Sequence, residues 1–246
     1  MSAAGAQPTG TSDEQSSAAA VRQMFDAIAP RYDLLNHVLS CNIDRLWWRR
    51  TARRFRAILS DPEASILDIC CGTGDMTLAL LRHRPRIAKP ILAADFSAAM
   101  LARATEKLRN RNATILEADA LHLPLQDSSL NLITTAFGFR NLANYEAGLR
   151  EFHRVLRPGA ELGILDFSEP QGVTGKLYAF YFRRILPTIG SLISGTGSAY
   201  SYLPASVHRF PPPPAMLALM QKTGFTSVSW TPYTFGIAGL YRAVKI

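Results

Sequence analysis

The sequence predicts an α/β fold in which a mostly parallel sheet carries helices on both faces. Between residues 65 and 167, short apolar runs alternate with stretches of helical periodicity. The first run, Ile66–Ile69, is typical of a strand buried on both faces. A turn containing Gly72 and Gly74 follows, and residues 76–82 then have the periodicity of a helix. With 246 residues, the chain lies in the size range of one large domain.

The other elements are expected in alternation along the chain. A helix begins at Val21 and is ended by Pro30. Further helices are expected at residues 32–39, 44–59, 145–155 and 215–223, the last stopped at Gly224. Further strands are expected at residues 91–95, 113–120, 130–137 and 161–167, followed by a closing strand pair at residues 227–230 and 237–244.

Composition divides the chain into a tail and one domain. Residues 1–20 are rich in alanine, serine, glycine and glutamine and lack a periodic apolar face, which predicts disorder. Residues 21–246 are expected to form one domain, with a helical cap (21–60), a cofactor-binding core (64–168), an insertion (170–214) and a closing helix and strand pair (215–246). The insertion is rich in aromatic residues, which favours a lid over an apolar substrate, although an aromatic stripe is also typical of ordinary core packing.

The glycine turn has the backbone freedom that a nucleotide-like ligand requires. Its spacing is Asp68-x-x-x-Gly72-x-Gly74, and Thr77 stands where a dinucleotide motif would carry its third glycine. No Walker-type Lys-Ser/Thr pair follows. A carboxylate at the strand end would repel a pyrophosphate but can accept a hydrogen bond from an ammonium group. The turn therefore favours S-adenosylmethionine, which carries an ammonium and a sulfonium instead of phosphates.

Two further acidic residues stand at the ends of the next strands. Asp95 follows the glycines by about 20 residues, where a ribose-binding carboxylate belongs in a βαβ unit. Asp119 ends the third expected strand and can accept from an adenine amino group. The alternative is a plain tight turn with acids that cap helices. Because ligands bind at the carboxyl ends of such sheets, we prefer the ligand site.

Several segments resemble those of a known family. Residues 67–75 resemble the first motif of class I S-adenosylmethionine-dependent methyltransferases. From about Val21 onward the chain is similar to the ubiquinone/menaquinone biosynthesis C-methyltransferases, on the basis of Phe137-Gly138-Phe139-Arg140-Asn141, Arg154-Val155-Leu156-Arg157-Pro158-Gly159 and Ser201-Tyr202-Leu203-Pro204-Ala205-Ser206-Val207. The second of these segments is common to many methyltransferases, so the other two carry the resemblance. It implies a Rossmann-like, seven-stranded sheet, a helical cap before it and a helical insertion before the last helix.

The resemblance also implies a cofactor site for S-adenosylmethionine. Together with the analysis of the turn, it predicts contacts from Asp68, Gly72, Thr73, Gly74, Asp95, Asp119 and Ala120. Two positions depart from the pattern. Ala136 stands where some relatives carry serine, and Cys70 stands where many class I enzymes have their first glycine. The cap, with Phe25, Tyr32 and Asp33, is expected to close over the cofactor; ordinary helix packing is the alternative for Tyr32.

The same resemblance implies methyl transfer to a quinol ring carbon. Ionising the neighbouring hydroxyl makes this carbon nucleophilic, and a cation near the developing phenolate lowers the barrier. We expect Arg140 to hold that oxyanion or to orient a water, with Asn141 orienting the same oxygen. The alternative for Arg140 is a salt bridge that fixes the loop. Tyr200 and Tyr202 are expected to contact the substrate, and His208 is a weaker candidate.

The chain is basic, with a net charge of +8 and a sequence pI of about 9.7. Such a charge suits nucleic acid or an anionic membrane surface. An RNA-recognition signature is missing from the sequence, so we expect no nucleic acid partner. Trp47, Trp48 and the surrounding arginines predict either a helix that rests on a membrane interface or a packed helix with a solvated basic face.

The cysteine content argues against a disulfide framework or a metal site. Cys41, Cys70 and Cys71 form no C-x-x-C pair, and an odd number of cysteines suits a reducing cytosol. The sequence shows neither a transmembrane segment nor a secretory signal. We expect a cytoplasmic protein, peripheral to the inner face of the membrane, that associates transiently with its surface. A homodimer is compatible with the sequence, which leaves the oligomeric state open.

The sequence is interpreted as a C-methyltransferase that converts demethylmenaquinol to menaquinol. Methylation of a benzoquinol, or of both quinols, stays open, because the sequence does not separate the two rings. Other hypotheses are a phenolic O-methyltransferase, an S-adenosylmethionine-binding module without catalysis and a nucleic-acid-binding protein.

Overall fold

The centre of the protein is a twisted seven-stranded sheet. The computed structural model describes residues 5–33, 40, 42–170 and 198–246, without the side chains of residues 31 and 198–201. The strand order among these residues is β3-β2-β1-β4-β5-β7-β6. The strands are β1 (Ile66–Ile69), β2 (Ile91–Asp95), β3 (Ala113–Glu117), β4 (Leu130–Ala136), β5 (Leu156–Phe167), β6 (Phe225–Tyr233) and β7 (Ala238–Lys245).

Eight α-helices are present in the described part of the chain. They are α1 (Glu14–Ile28), α2 (Ile43–Arg54), α3 (Arg56–Ser60), α4 (Asp75–Leu81), α5 (Ala98–Lys107), α6 (Tyr145–Val155), α7 (Ser198–Arg209) and α8 (Pro213–Lys222). Short 3₁₀ turns occupy Ala29–Arg31, Phe139–Asn141 and Thr234–Gly236.

The topology creates a crevice at the middle of the sheet. Strands β1 to β5 are parallel to one another, whereas β7 pairs antiparallel with both β5 and β6. The chain winds outward from β1 in one direction through β2 and β3, and in the other through β4 and β5. Ligands bind where such a sheet reverses its order, at the carboxyl ends of the strands. The predicted mostly parallel sheet is confirmed.

The strands bury both faces because neighbouring side chains point in opposite directions. Leu67 and Ile133 face the layer of α6 and α8, where Leu149, Phe152 and Met216 are fully buried. The opposite face contacts α2 and α4 through a second group of buried residues: Ile66, Leu132, Leu165, Leu240, Trp47, Trp48 and Leu80. The layers fix the positions of the strand ends, on which the site depends.

The prediction of a disordered tail over residues 1–20 was wrong for its second half. Helix α1 begins at Glu14, and Asp13 caps it by accepting from the Ser16 backbone N–H at 2.7 Å. Ser17 is buried, and further upstream Ala6 is buried and donates to the Leu142 carbonyl at 2.8 Å. This order depends on a cap and on tertiary burial, which the composition does not reveal.

Other elements differ from the predictions mainly at their ends. The helix expected at residues 44–59 is broken at Phe55 into α2 and α3. Strand β3 ends at Glu117, so Asp119 lies in the loop beyond it. Residues 34–39 of the helix expected at 32–39 and residues 171–197 of the insertion expected at 170–214 lie outside the described residues. Within the described ranges, no helix is long and apolar enough to span a membrane, and no cluster of potential metal ligands occurs.

Candidate active site

The carboxyl ends of β1, β2 and β4 surround a cavity of about 380 Å³. The loop after β3 contributes a further wall, and α1 lies across the opening as a roof. The residues that the prediction placed here and that do line the cavity are Gly72, Asp95, Asp119, Ala120, Asn141, Phe25 and Tyr32. The cavity thus brings together residues from the ends of β1, β2 and β4, from the loop after β3 and from the helical cap.

The glycine turn forms the cavity floor through its backbone. Gly72 has a φ of +55°, in the left-handed region, and a Cβ there would lie 3.7 Å from the Tyr32 ring. Cys70 adopts the same φ of +55° without being glycine, which costs backbone strain. A Cβ on Gly138, beyond β4, would overlap Cys70. The two loops therefore touch directly, and Cys70 together with Gly138 closes the cavity between β1 and β4.

Asp95 links the end of β2 to the glycine turn. Its Oδ2 accepts from the Gly72 N–H at 2.8 Å, and its Oδ1 accepts from the Ser97 N–H at 3.0 Å. The residue is 5% exposed, and burial raises the pKa of its carboxyl group. Each carboxylate oxygen keeps a second lone pair. Because Asp95 lines the cavity, these lone pairs can accept from the hydroxyl groups of a ligand.

Asp119 and Ala120 form the wall next to Asp95. The Asp119 Oδ1 accepts from the Leu121 N–H at 2.9 Å, while its side chain remains 49% exposed. Ala120 is buried and offers an apolar surface. A flat ring with an exocyclic amino group suits this combination of an apolar wall and an acceptor.

Asp68 is not among the residues that line the cavity, and its contact with an ammonium group stays a prediction. The Thr77 hydroxyl donates to its Oδ2 at 2.6 Å, and the Thr134 hydroxyl donates to its Oδ1 at 2.9 Å. The residue is fully buried, and this burial raises the pKa of its carboxyl group to about 7. Asp68 therefore fastens β1 to β4 and α4 beneath the glycine turn.

Thr73 and Gly74 also lie outside the cavity lining. The Thr73 hydroxyl donates to Asp33 Oδ1 at 2.5 Å and accepts from Lys107 Nζ at 2.8 Å. Lys107 Nζ also lies 2.7 Å from Asp33 and 3.0 Å from Asp75. Gly74, with a φ of +93°, begins α4 and faces Leu108. In this structure Thr73 joins the cap to the glycine turn.

The roof contains lining residues that the sequence analysis missed. Gln15, Ala18, Ala19 and Arg22 of α1 face the cavity. The Arg22 guanidinium lies 5.3 Å above the Phe96 ring. A helical periodicity that begins before residue 21 could have predicted these residues. The low-complexity composition of the tail obscured this periodicity.

Two polar contacts attach the roof to the rim of the cavity. Asp26 Oδ1 accepts from the Ser97 hydroxyl at 2.5 Å. At the other end of α1, the Asn144 amide donates to Glu14 Oε1 at 2.8 Å. The helix is therefore held at both ends across the cavity.

Arg140 lies behind the cavity wall in a buried ion pair. Its Nη1 is 2.9 Å from Asp166 Oδ1, and the same group donates to the Phe137 carbonyl. Burial alone would lower the pKa of the guanidinium, but the Asp166 carboxylate outweighs it and the pKa is raised. The salt bridge that was the alternative interpretation of Arg140 is present. The buried Nε–H group of Arg140 is left without a hydrogen-bond acceptor among the described residues.

Asn141 carries the polar surface of this wall. Its Oδ1 accepts from the Tyr202 hydroxyl at 3.1 Å, and its Nδ2 lies 3.4 Å from the Phe137 carbonyl. Burial raises the pKa of Tyr202 although Arg140 and Arg209 oppose the shift, so this hydroxyl stays a donor at neutral pH. The side chain of Tyr200 lies outside the described residues.

The sequence of the chain matches the ubiE/COQ5 methyltransferase family over residues 11–245. The chain belongs to this family. It is 43% identical to the demethylmenaquinone methyltransferase of Deinococcus radiodurans, with 100% of both chains aligned. It is 46% identical to that of Thermus thermophilus over 89% of this chain and 98% of the relative. It is also 40% identical to the ubiquinone/menaquinone biosynthesis C-methyltransferase UbiE of Geotalea daltonii, over 92% and 96% of the two chains.

Solved structures share the fold at low identity. The [4+2]-cyclase SpnF aligns with a TM-score of 0.66 and 17% identity, covering 100% of this chain and 99% of its own. An S-adenosylmethionine-dependent methyltransferase of Aquifex aeolicus aligns with a TM-score of 0.59 and 18% identity, covering 80% and 89%. The predicted family and the Rossmann-like methyltransferase fold are confirmed. The protein is a methyltransferase, and its cofactor is S-adenosylmethionine.

The residues around the cavity fit this cofactor. The floor at Gly72 lacks a Cβ, Asp95 presents a buried carboxylate, and Asp119 presents an acceptor beside the apolar Ala120. The site therefore combines negatively charged hydrogen-bond acceptors with an apolar surface. This combination suits ribose hydroxyls and an adenine ring and would repel phosphates.

Proposed function

We propose that this enzyme methylates a ring carbon of demethylmenaquinol and so forms menaquinol. The observation that carries the proposal is full-length identity of 43% to a relative named for this activity. The described residues of the site agree with it, because an apolar, aromatic wall meets a few polar groups at the cavity edge.

The cofactor half of the proposed site consists of Gly72, Asp95, Asp119 and Ala120. When bound, S-adenosylmethionine supplies an electrophilic methyl group on a sulfonium. Asp95 would hold the ribose hydroxyls, since its oxygens keep free lone pairs toward the cavity. Helix α1 lines one side of the cavity and would limit the access of water there, which favours a transfer that depends on positioning.

The substrate half of the proposed site centres on the loop after β4. Phe137 lines the cavity, and its ring contacts that of Phe167 with centroids 4.5 Å apart. Asn141 faces the same space and can orient a quinol hydroxyl.

Arg140 contributes to the same half from behind the wall. Because Arg140 does not line the cavity, we propose that its buried positive charge stabilises the developing phenolate through the wall, without a direct hydrogen bond. The ring carbon loses its proton after the transfer, and we propose that water accepts this proton.

A labelled-methyl assay tests the proposed substrate. Reduced demethylmenaquinol and the corresponding demethylated benzoquinol are offered side by side with labelled S-adenosylmethionine. We expect label on the naphthoquinol ring carbon. The Arg140→Ala variant should lose this turnover while the Asp95 side of the site still binds the cofactor. Label on oxygen, or cofactor binding without turnover of either quinol, would refute the proposal.

A benzoquinol substrate is the second candidate. It is favoured by the relative from Geotalea daltonii, whose name includes both ubiquinone and menaquinone biosynthesis. Comparable turnover of both quinols in the same assay would identify an enzyme of both pathways.

The proposed substrate carries a lipid tail, which links the enzyme to a membrane. We therefore propose a cytoplasmic enzyme that associates transiently with the inner face of the membrane. Light scattering on the purified enzyme would determine whether it is a homodimer.

A further inference from the structure

The exposed face of α2 is strongly basic. Arg45, Arg49 and Arg53 repeat at intervals of four residues and are exposed, whereas Trp47 and Trp48 on the opposite face are buried. Further exposed arginines at and beyond the end of the helix are Arg50, Arg54 and Arg56. Among the described residues, no carboxylate lies within ion-pair distance of any of the six. Their charge is therefore not neutralised within this part of the chain.

Large apolar side chains project from the same region. Ile43 is 36% exposed, Leu46 51% and Phe235 80%. Phe235 lies in the turn between β6 and β7 and has a φ of +57°. An exposed phenylalanine in a left-handed conformation does not stabilise the fold, because asparagine or glycine would fit this backbone better. Its presence at this position therefore points to a role other than folding.

Direct contacts join the turn to the helix. Trp47 Nε1 donates to the Thr234 hydroxyl at 2.8 Å. The Arg50 guanidinium lies 4.6 Å above the ring of Tyr233, which precedes the turn. Ile43, Leu46 and Phe235 therefore lie close to the row of arginines. We call this group of residues, together with the six arginines, the basic–apolar face.

The end of the basic–apolar face that carries the β6–β7 turn and the first turns of α2 lies on the same edge of the sheet as the cavity. Ala238, the first residue of β7, pairs with Phe167, the last residue of β5, so the β6–β7 turn stands at the carboxyl end of β5. The Trp47 ring contacts Phe137 and Phe167, with centroids 5.7 Å and 6.1 Å away. Phe137 lines the cavity. Aromatic rings thus connect the face to the wall of the site.

We propose that the basic–apolar face is the surface on which the enzyme docks to an anionic lipid bilayer. Arginines attract anionic headgroups, while Leu46 and Phe235 can enter the boundary between headgroups and acyl chains. A nucleic acid backbone would satisfy the arginines but would leave the apolar side chains in water. The proposal rests on the proposed function in that a lipid-tailed quinol would reach the cavity from this membrane.

Vesicle sedimentation with two pairs of variants tests the face. Arg45→Ala/Arg49→Ala is compared with Arg109→Ala/Arg111→Ala, which removes two exposed charges from the loop before β3, at the opposite edge of the sheet. Leu46→Ser/Phe235→Asn is compared with Ile87→Ser, an exposed apolar residue (89%) before β2. Asparagine tolerates the left-handed backbone at position 235, so this variant should fold.

The expected result is binding of the unmodified enzyme to vesicles that contain phosphatidylglycerol and not to pure phosphatidylcholine. Removing two arginines of the face should weaken that binding by roughly 25-fold, at about fivefold for each charge. The Leu46/Phe235 variant should also bind more weakly, whereas the Arg109/Arg111 and Ile87 variants should bind like the unmodified enzyme. Equal binding by all variants, or binding to duplex DNA but not to vesicles, would overturn the proposal.

Activity measurements separate this proposal from the proposed function. Variants of the face should methylate a quinol with a short, water-soluble tail at the normal rate and should be slow only with a long-tailed quinol embedded in anionic vesicles. An enzyme that binds vesicles through the face but methylates neither quinol would refute the proposed function alone. An enzyme that methylates both quinols with unchanged rates in the variants would refute the docking surface alone.

Discussion

The two halves of the cavity are held in place by different means. On the β1–β2 side, the wall is backbone whose N–H groups are fixed by one buried carboxylate, that of Asp95. Beyond β4, the wall is a loop fixed from behind by the buried Arg140–Asp166 ion pair. Phe137, where this loop begins, has a φ of +59°, so the second half also holds a strained residue. The first half depends on the close approach of backbone to the ligand, and the second depends on the neutralisation of a buried arginine by a buried aspartate.

The largest effect is expected from Asp166→Ala, which would leave the Arg140 guanidinium buried without its partner. Breaking a buried pair in this way costs about 3–5 kcal/mol, so the free energy of unfolding measured in denaturant should fall by that amount. The double variant Arg140→Met/Asp166→Leu should recover most of it, because apolar side chains can fill the same space. Cofactor affinity should persist in the double variant and quinol turnover should not. Full turnover in the double variant would make the pair purely structural.

A pH effect on stability is expected from Asp68 on the other side of the cavity. Its pKa is about 7 in the folded protein and near 3.8 in the unfolded chain. Its stabilising contribution is therefore fully present below pH 3.8 and is lost as the pH rises to about 7.

The Asp68→Asn variant isolates this effect. Between pH 5 and pH 8, the free energy of unfolding of the unmodified protein should fall by about 3 kcal/mol more than that of the variant. Parallel pH profiles for the two proteins would contradict the raised pKa of Asp68.

A smaller effect is expected from Asp95→Ala, and it should be confined to the cofactor. Loss of a buried acceptor of charged hydrogen bonds weakens binding by about 1.5–3 kcal/mol, or about 10- to 150-fold in Kd by calorimetry. Asp119→Ala is the matched change and should cost less, because this carboxylate is half exposed and exchanges with water. A larger loss at Asp119 would reverse the assignment of the stronger cofactor contact.

The comparison of Asp68 and Asp95 shows where sequence reasoning reached its limit. Both residues are carboxylates at or near the end of a short apolar strand, and the pattern treats them alike. Asp95 is the last residue of β2 and lines the cavity. Asp68 lies inside β1, and its carboxylate accepts hydrogen bonds from Thr77 and Thr134. Thr134 is 66 positions away in the chain, so no local sequence pattern could predict this hydrogen bond.

The strand–glycine turn–helix unit, the order of the strand ends and the family could all be predicted from the amino-acid sequence alone. These features depend on local periodicity, on residues that tolerate a left-handed backbone and on short motifs, all of which are written along the chain. Three features became visible only in the folded protein: α1 lines the cavity, Thr73 joins the cap to the turn, and Arg140 is paired with Asp166. Each of these depends on a partner distant in sequence, and burial, which sets the strength of such contacts, exists only once the layers have packed.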